Sequence, residues 1–113
     1  MIRGDVYEAA LDPTRGSEQR GTRPVIIVSR DAINQSSPIV VIVPITGREN
    51  NVRVYPSQIE IRAGDGGLSK DSVAMGEQVR AISKTRLTNH LGHLPASIMA
   101  KLNAALKIAL DLA

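Results

Sequence analysis

Apolar residues fall into short β-branched blocks over most of the chain and form a helical stripe only at its end. Val6 to Leu11 predicts a first strand, stopped by the turn chemistry of Leu11-Asp12-Pro13 and followed by a polar, charged loop from Thr14 to Thr22. The runs Pro24 to Val28 and Ile39 to Val43 are too short for typical helices and apolar on both faces. They read as deeply buried strands that neighbour each other in the core. Asp31 to Pro38 between them has room for a helical turn or a loop, but for no long element. Pro44 cannot donate a ladder hydrogen bond, so a strand edge or bulge is expected there, with Thr46 where the strand opens.

Val52 to Ile61 predicts another strand region, interrupted by Pro56, and Ala63 to Gly67 an evident turn. A longer strand is expected from Asp71 to Ile82, with Gly76 as a bulge. Beyond it Gln78 and Arg80 share one face and Val79 and Ala81 the other. Ser83 can cap a helical turn through Leu87, and His90 to Leu94 return to the sheet. From about Pro95, Ile98, Leu102, Ala105, Ala109 and Leu112 recur at helical spacing, and Met99, Leu106 and Leu110 widen the stripe. The expected architecture is β-rich α+β: a twisted antiparallel sheet curled into a small barrel, with a C-terminal helix over one opening.

The chain's 113 residues suit one domain, 1–113, because a protein of this size buries one core. No apolar stretch approaches the roughly 20 residues of a membrane span, so a soluble, cytoplasmic protein is expected. With no cysteine, disulfides, thiol nucleophiles and thiolate metal sites are all excluded. The net charge of +3 favours an anionic partner only mildly. Its distribution says more: Arg15, Arg20, Arg23, Arg30, Arg48 and Arg53 lie in one region against Glu18, Asp31 and Glu49. Arginine's fork suits bidentate phosphate contact better than lysine's point charge, although solvated loop charge would give the same composition.

Several separated motifs are similar, in order, to the MazF/PemK toxin family: Arg3-Gly4-Asp5-Val6-Tyr7, Leu11-Asp12-Pro13, Gly16-Ser17-Glu18, Gly21-Thr22-Arg23-Pro24, Val43-Pro44-Ile45-Thr46, Glu77-Gln78-Val79-Arg80 and Lys84-Thr85-Arg86-Leu87. The resemblance spans nearly the whole chain. It implies an SH3-like, PemK/CcdB-like barrel, a homodimer, a cognate antitoxin, and cleavage of single-stranded RNA to 2′,3′-cyclic phosphate and 5′-hydroxyl ends without metal or other cofactor. The family's catalytic arginine and strand-end threonine correspond to Arg23 and Thr46. Ser83 stands where an aspartate is common, and the chain is poor in aromatics, which weakens base stacking as a source of affinity.

Cyclising cleavage uses the substrate's own 2′-hydroxyl, so the protein need supply only orientation, charge stabilisation and proton management. Arg23 can hold the non-bridging oxygens while remaining charged. A general-acid role would need an unusual environment, since arginine keeps its proton at neutral pH. Thr46 can fix a phosphate oxygen or the 2′-hydroxyl. Ser17, Glu18, Gln19 and Arg20 on the loop, with Gln78, are candidates for RNA contact; loop solubility and backbone satisfaction explain them equally well. His90 and His93, three apart on a strand, should point oppositely and play structural or exposed roles. Tyr7 and Tyr55 are expected at the core or its rim. Two other functions fit the same fold: a non-catalytic, CcdB-like poison of a protein target such as gyrase, and an inactive RNA-binding module.

Overall fold

Branched side chains at Val25 to Ile27 and Val40 to Val43 favour a pleated backbone that must be covered on both faces. In the computed structural model, which describes residues 1–50 and 53–113, these runs lie side by side in strands β2 (Thr22–Ile27) and β3 (Ile39–Gly47). Their antiparallel register sets Val25 opposite Pro44, Ile26 opposite Val43 and Ile27 opposite Ile42. Alternation then sorts the side chains onto two cores. Ile26, Val43 and Ile45 join Val6, Ile61 and Leu94 on one face, while Val25, Ile27, Val40 and Ile42 join Ala9 and Leu11 on the other. The start of β3 departs from full burial, because Ile39 is 43% exposed.

Around this pair stand β1 (Asp5–Ala10), the six-residue helix α1 (Asp31–Ser36), β4 (Gln58–Ile61), β5 (Ser72–Met75), β6 (Arg80–Ser83), β7 (Leu87–His93) and the C-terminal helix α2 (Ala96–Leu110). The strands run in the order β4-β5-β3-β2-β1-β7, with β6 also on β3. β3 divides its free edge: Ile39 to Ile42 pair with β6, and Ile45 to Gly47 pair with β5. Pro44, with no N–H to donate, stands where the partner changes.

The single strand expected from Asp71 to Ile82 is therefore two strands. The 3-10 turn Gly76–Gln78 separates them, because the Gly76 N–H donates to the Ser57 carbonyl at 3.0 Å. A Cβ on Gly76 would lie 2.5 Å from that oxygen, which ties the close approach to glycine. The strand expected from Val52 starts only at Gln58, beyond Pro56; Val52 lies outside the described residues. The Ser83 cap forms as expected, with its hydroxyl accepting from the Thr85 N–H.

α2 buries Met99, Leu102 and Ala105 against the first core. The helical stripe stops short of its expected length. Asp111 turns left-handed at φ 55°, and Leu110 and Leu112 are 52% and 60% exposed, because the last turn runs past the core.

β4 and β7 are the ends of the sheet, so among the described residues no ladder closes the barrel. Closure comes instead from backbone packing, where the turn Asp65–Gly67 between β4 and β5 lies against β7. A Cβ on Gly67 would fall 1.9 Å from the Leu91 carbonyl oxygen, and one on Gly92 would fall 2.6 Å from the Gly66 carbonyl carbon. Gly92→Ala should therefore cost about 1–3 kcal/mol by overpacking, read as a lower urea midpoint at unchanged slope. A variant as stable as the parent would show that this contact does not close the barrel.

Candidate active site

The β2–β3 ladder ends with Val25 opposite Pro44, and Arg23 and Thr46 each lie two residues further along their strands, toward the same end of the pair. Arg23 is held opposite Ala9 of β1. Thr46 is only 5% exposed and pairs with Val73 of β5. The strand opening expected at Thr46 is absent. β3 continues to Gly47, opposite Ser72, because β5 takes over its free edge beyond Pro44. The threonine is thus placed by its pairing with β5.

Arg23 and Thr46 line one cavity of about 380 Å³, together with Glu8, Ser69, Lys70 and Leu91. The Arg23 Nε donates to the Arg20 carbonyl at 3.1 Å, so the loop's own backbone anchors the guanidinium. Among the described residues no carboxylate forms an ion pair with Arg23 and no other protein acceptor takes its Nη groups. Its charge and outer fork stay available to an oxyanion. Lys70 is the cavity's second cation, and its Nζ lies 3.0 Å from Glu49 Oε1. Both partners are more than 60% exposed, so solvent weakens that pair and Lys70 is only lightly held. The sequence reading missed Lys70 and Glu8 as lining residues. Lys70 sits in a loop, beyond a turn whose length no periodicity fixes.

The remaining candidates separate into two groups. The Gln19 N–H donates to Gln78 Oε1 at 2.8 Å, which fixes the loop beside the 3-10 turn, and Glu18, Gln19 and Gln78 line a second cavity of about 210 Å³ with Pro44 and Arg80. Gln78 therefore acts first on the loop. Ser17 and Arg20 are exposed and line neither cavity. Glu18 Oε1 accepts from the Arg15 N–H at 2.7 Å and rigidifies the same turn.

Sequence comparison matches residues 2–110 to the family described as PemK-like, MazF-like toxin of type II toxin-antitoxin system. The chain belongs to the PemK/MazF toxin family. It is 45% identical over 112 residues to the endoribonuclease MazF of Staphylococcus saprophyticus, covering 99% of this chain and 92% of that protein. A mycobacterial endoribonuclease solved in complex with its cognate antitoxin superposes with a TM-score of 0.81 at 28% identity, covering 100% of this chain and 97% of that one. MazF of Deinococcus radiodurans shares the fold, with a TM-score of 0.82 at 24% identity over 98% and 96% of the two chains.

This PemK/MazF chain also brings its two histidines together, contrary to the expectation that they point apart. The β1–β7 register slips between Val6↔Gly92 and Tyr7↔His90, and one extra residue in β7 reverses the side-chain alternation. His93 Nδ1 and His90 Nε2 then reach the same Asp5 Oδ1, at 2.9 Å and 3.5 Å. Tyr7 packs on His90 with ring centroids 4.9 Å apart, while Tyr55 is exposed beneath the Arg53 guanidinium at 5.0 Å.

Burial alone would raise the Asp5 carboxyl. The Ile2 N–H, the His93 hydrogen bond and the fields of both histidines outweigh it and hold the group below the ordinary aspartate range. A carboxyl with a depressed folded-state pKa stabilises the fold above its unfolded value of about 3.9. That contribution is lost as pH falls through the folded value. Urea midpoints measured between pH 7 and pH 3 should accordingly fall on acidification, and Asp5→Asn should be less stable at pH 7 and flatter below pH 4. Parallel curves for the two proteins would contradict this.

Proposed function

We propose that this chain, as one domain over residues 1–113, is a MazF-type endoribonuclease that cleaves single-stranded RNA at Arg23 and Thr46. The observation that carries the reading is their meeting on one cavity wall, reached by the pairing of β2 with β3. A phosphodiester seated there would offer its non-bridging oxygens to the Arg23 fork, and the Thr46 hydroxyl would hold the 2′-hydroxyl or a phosphate oxygen in line. The 2′-oxygen forms a bond to phosphorus as the bond to the 5′-oxygen breaks. The proton leaving the 2′-oxygen passes to solvent or a nearby base, and one is delivered to the departing 5′-oxygen. The products are a 2′,3′-cyclic phosphate and a 5′-hydroxyl.

Because the nucleophile belongs to the substrate, the reaction needs no metal-bound hydroxide. Arg23 acts as an electrostatic stabiliser, the role that keeps its proton in place. The named relatives are endoribonucleases, which favours RNA cleavage over a CcdB-like attack on a protein target. A cognate antitoxin follows from the type II toxin family and from the mycobacterial complex. The protein acts in the cytoplasm, where its RNA is, and among the described residues no helix is long and apolar enough to cross a membrane. A homodimer of the 12.1 kDa chain completes the reading; light scattering should return about twice that mass, and a monomer at working concentration would refute it.

Purified protein should cut a long RNA in the presence of EDTA and leave 5′-hydroxyl ends. Arg23→Ala should lose roughly 100- to 1000-fold in rate, as removal of one charge-stabilising donor does. Unchanged cutting by that variant, or cutting that stops with EDTA, would overturn the proposed chemistry.

A further inference from the structure

The proposed cleavage uses Arg23 and leaves the second cation of the larger cavity without a role. Lys70 lines that cavity, and its backbone is tightly fixed. The Ser72 hydroxyl donates to the Lys70 carbonyl at 2.9 Å, and Ser72 itself is 3% exposed in β5, opposite Gly47. The residue after Lys70 is held twice, by the Arg48 N–H on the Asp71 carbonyl and the Ala63 N–H on Asp71 Oδ1, each at 2.9 Å. The Lys70 side chain, in contrast, is 61% exposed, so a fixed stem carries an ammonium that can change partners.

Its present partner shows what it takes. Glu49 Oε1 lies 3.0 Å from Lys70 Nζ, and the carboxylate folds back over Gly47, where a Cβ would meet that oxygen at 2.8 Å. Gly47 lines the cavity and directly follows Thr46 in β3. An oxyanion therefore already stands at the cavity rim, beside the lysine and next to the strand that carries Thr46. We propose that Lys70 binds a second phosphate of the RNA, neighbouring the scissile one, and that this phosphate takes the place Glu49 holds in the free protein. The proposal rests on the ribonuclease reading and adds to it a substrate-binding residue with an internal competitor.

Three features favour this exchange. The cavity's volume of about 380 Å³ is in the range of sites for drug-sized ligands, more than one phosphate group fills, so RNA seated on Arg23 extends across it. The Lys70 hydrogen bond holds the Glu49 carboxyl below the ordinary glutamate range, so near neutral pH it is ionised and repels RNA until it is displaced. The pair is also easily parted. Both side chains are more than 60% exposed, and ion pairs in solvent are weak, whereas a phosphate arriving on the lysine releases the counterions condensed on the RNA. A lysine point charge suits a contact that positions the strand without reading its sequence.

Binding of a 2′-O-methyl RNA oligonucleotide, which cannot cyclise, tests this apart from cleavage when it is measured over a range of salt. Lys70→Met should bind about tenfold more weakly at low salt, the low end for a hydrogen bond to a charged group. Its plot of log affinity against log salt should be shallower by about 0.7, the share of one phosphate on a single strand. Lys70→Arg should keep the wild-type slope, and so should Lys101→Met, which removes a lysine lining a different cavity. Glu49→Gln should tighten binding about 2- to 5-fold, the worth of an exposed pair, in the wild-type background but not in Lys70→Met. An unchanged slope in Lys70→Met, or an equal loss in Lys101→Met, would overturn the phosphate contact. Equal tightening by Glu49→Gln in both backgrounds would mark general repulsion and overturn the exchange. Failure of the wild type to cut RNA that carries its 2′-hydroxyls, read on a cleavage gel, would instead sink the ribonuclease reading.

Discussion

The pairing of β2 with β3 is the constraint from which the site follows. Each strand alone is a stretch of branched apolar residues that could lie almost anywhere in a buried sheet. Their register, with Val25 opposite Pro44, brings an arginine at the start of β2 and a threonine near the end of β3, 23 positions apart in sequence (46 − 23), to the wall of one cavity. A slip of one residue would reverse every side chain of one strand between the two cores. Burial of Val25, Ile27, Val40 and Ile42 on one side and Ile26, Val43 and Ile45 on the other therefore also locks the geometry of the candidate site. Precision at the site is a by-product of the hydrophobic alternation around it.

Pro44 gives this arrangement its second property. Because the free edge of β3 passes from β6 to β5 near that residue, one strand serves two surfaces. The stretch before Pro44 holds the start of β6, where Arg80 lies; the stretch after it holds Thr46 against β5. The loop ahead of Arg23 spans the same two places, since Gln19 is fixed to Gln78 and Arg20 holds the Arg23 Nε through its carbonyl. The loop thereby ties the 3-10 turn before β6 to the Arg23 guanidinium through short links.

Much of this was legible in the residue order. The β-branched runs announced β2 and β3, the stripe from Ile98 announced α2, and the Gly21-Thr22-Arg23-Pro24 and Val43-Pro44-Ile45-Thr46 motifs pointed to the cavity that the fold assembles. What the sequence concealed depends on contacts between segments distant along the chain. Gly76 looked like a bulge because nothing local reveals that the Ser57 carbonyl will sit against it. The histidines seemed to diverge because the alternation rule assumes a regular strand, and the register slip in β7 is created by pairing with β1. Leu110 and Leu112 continued the helical periodicity, but periodicity does not say where the core beneath a helix ends. Barrel closure by Gly67 and Gly92 left no signal beyond the glycines themselves.

The central claim is that Arg23 and Thr46 act together on one phosphodiester. Single-turnover cleavage rates for Arg23→Ala, Thr46→Ala and the double variant test it most directly. Groups that act as a unit lose function non-additively, so the double variant should be hardly slower than the worse single one. Losses that multiply would mean that the two residues contribute separately, and would contradict the shared site.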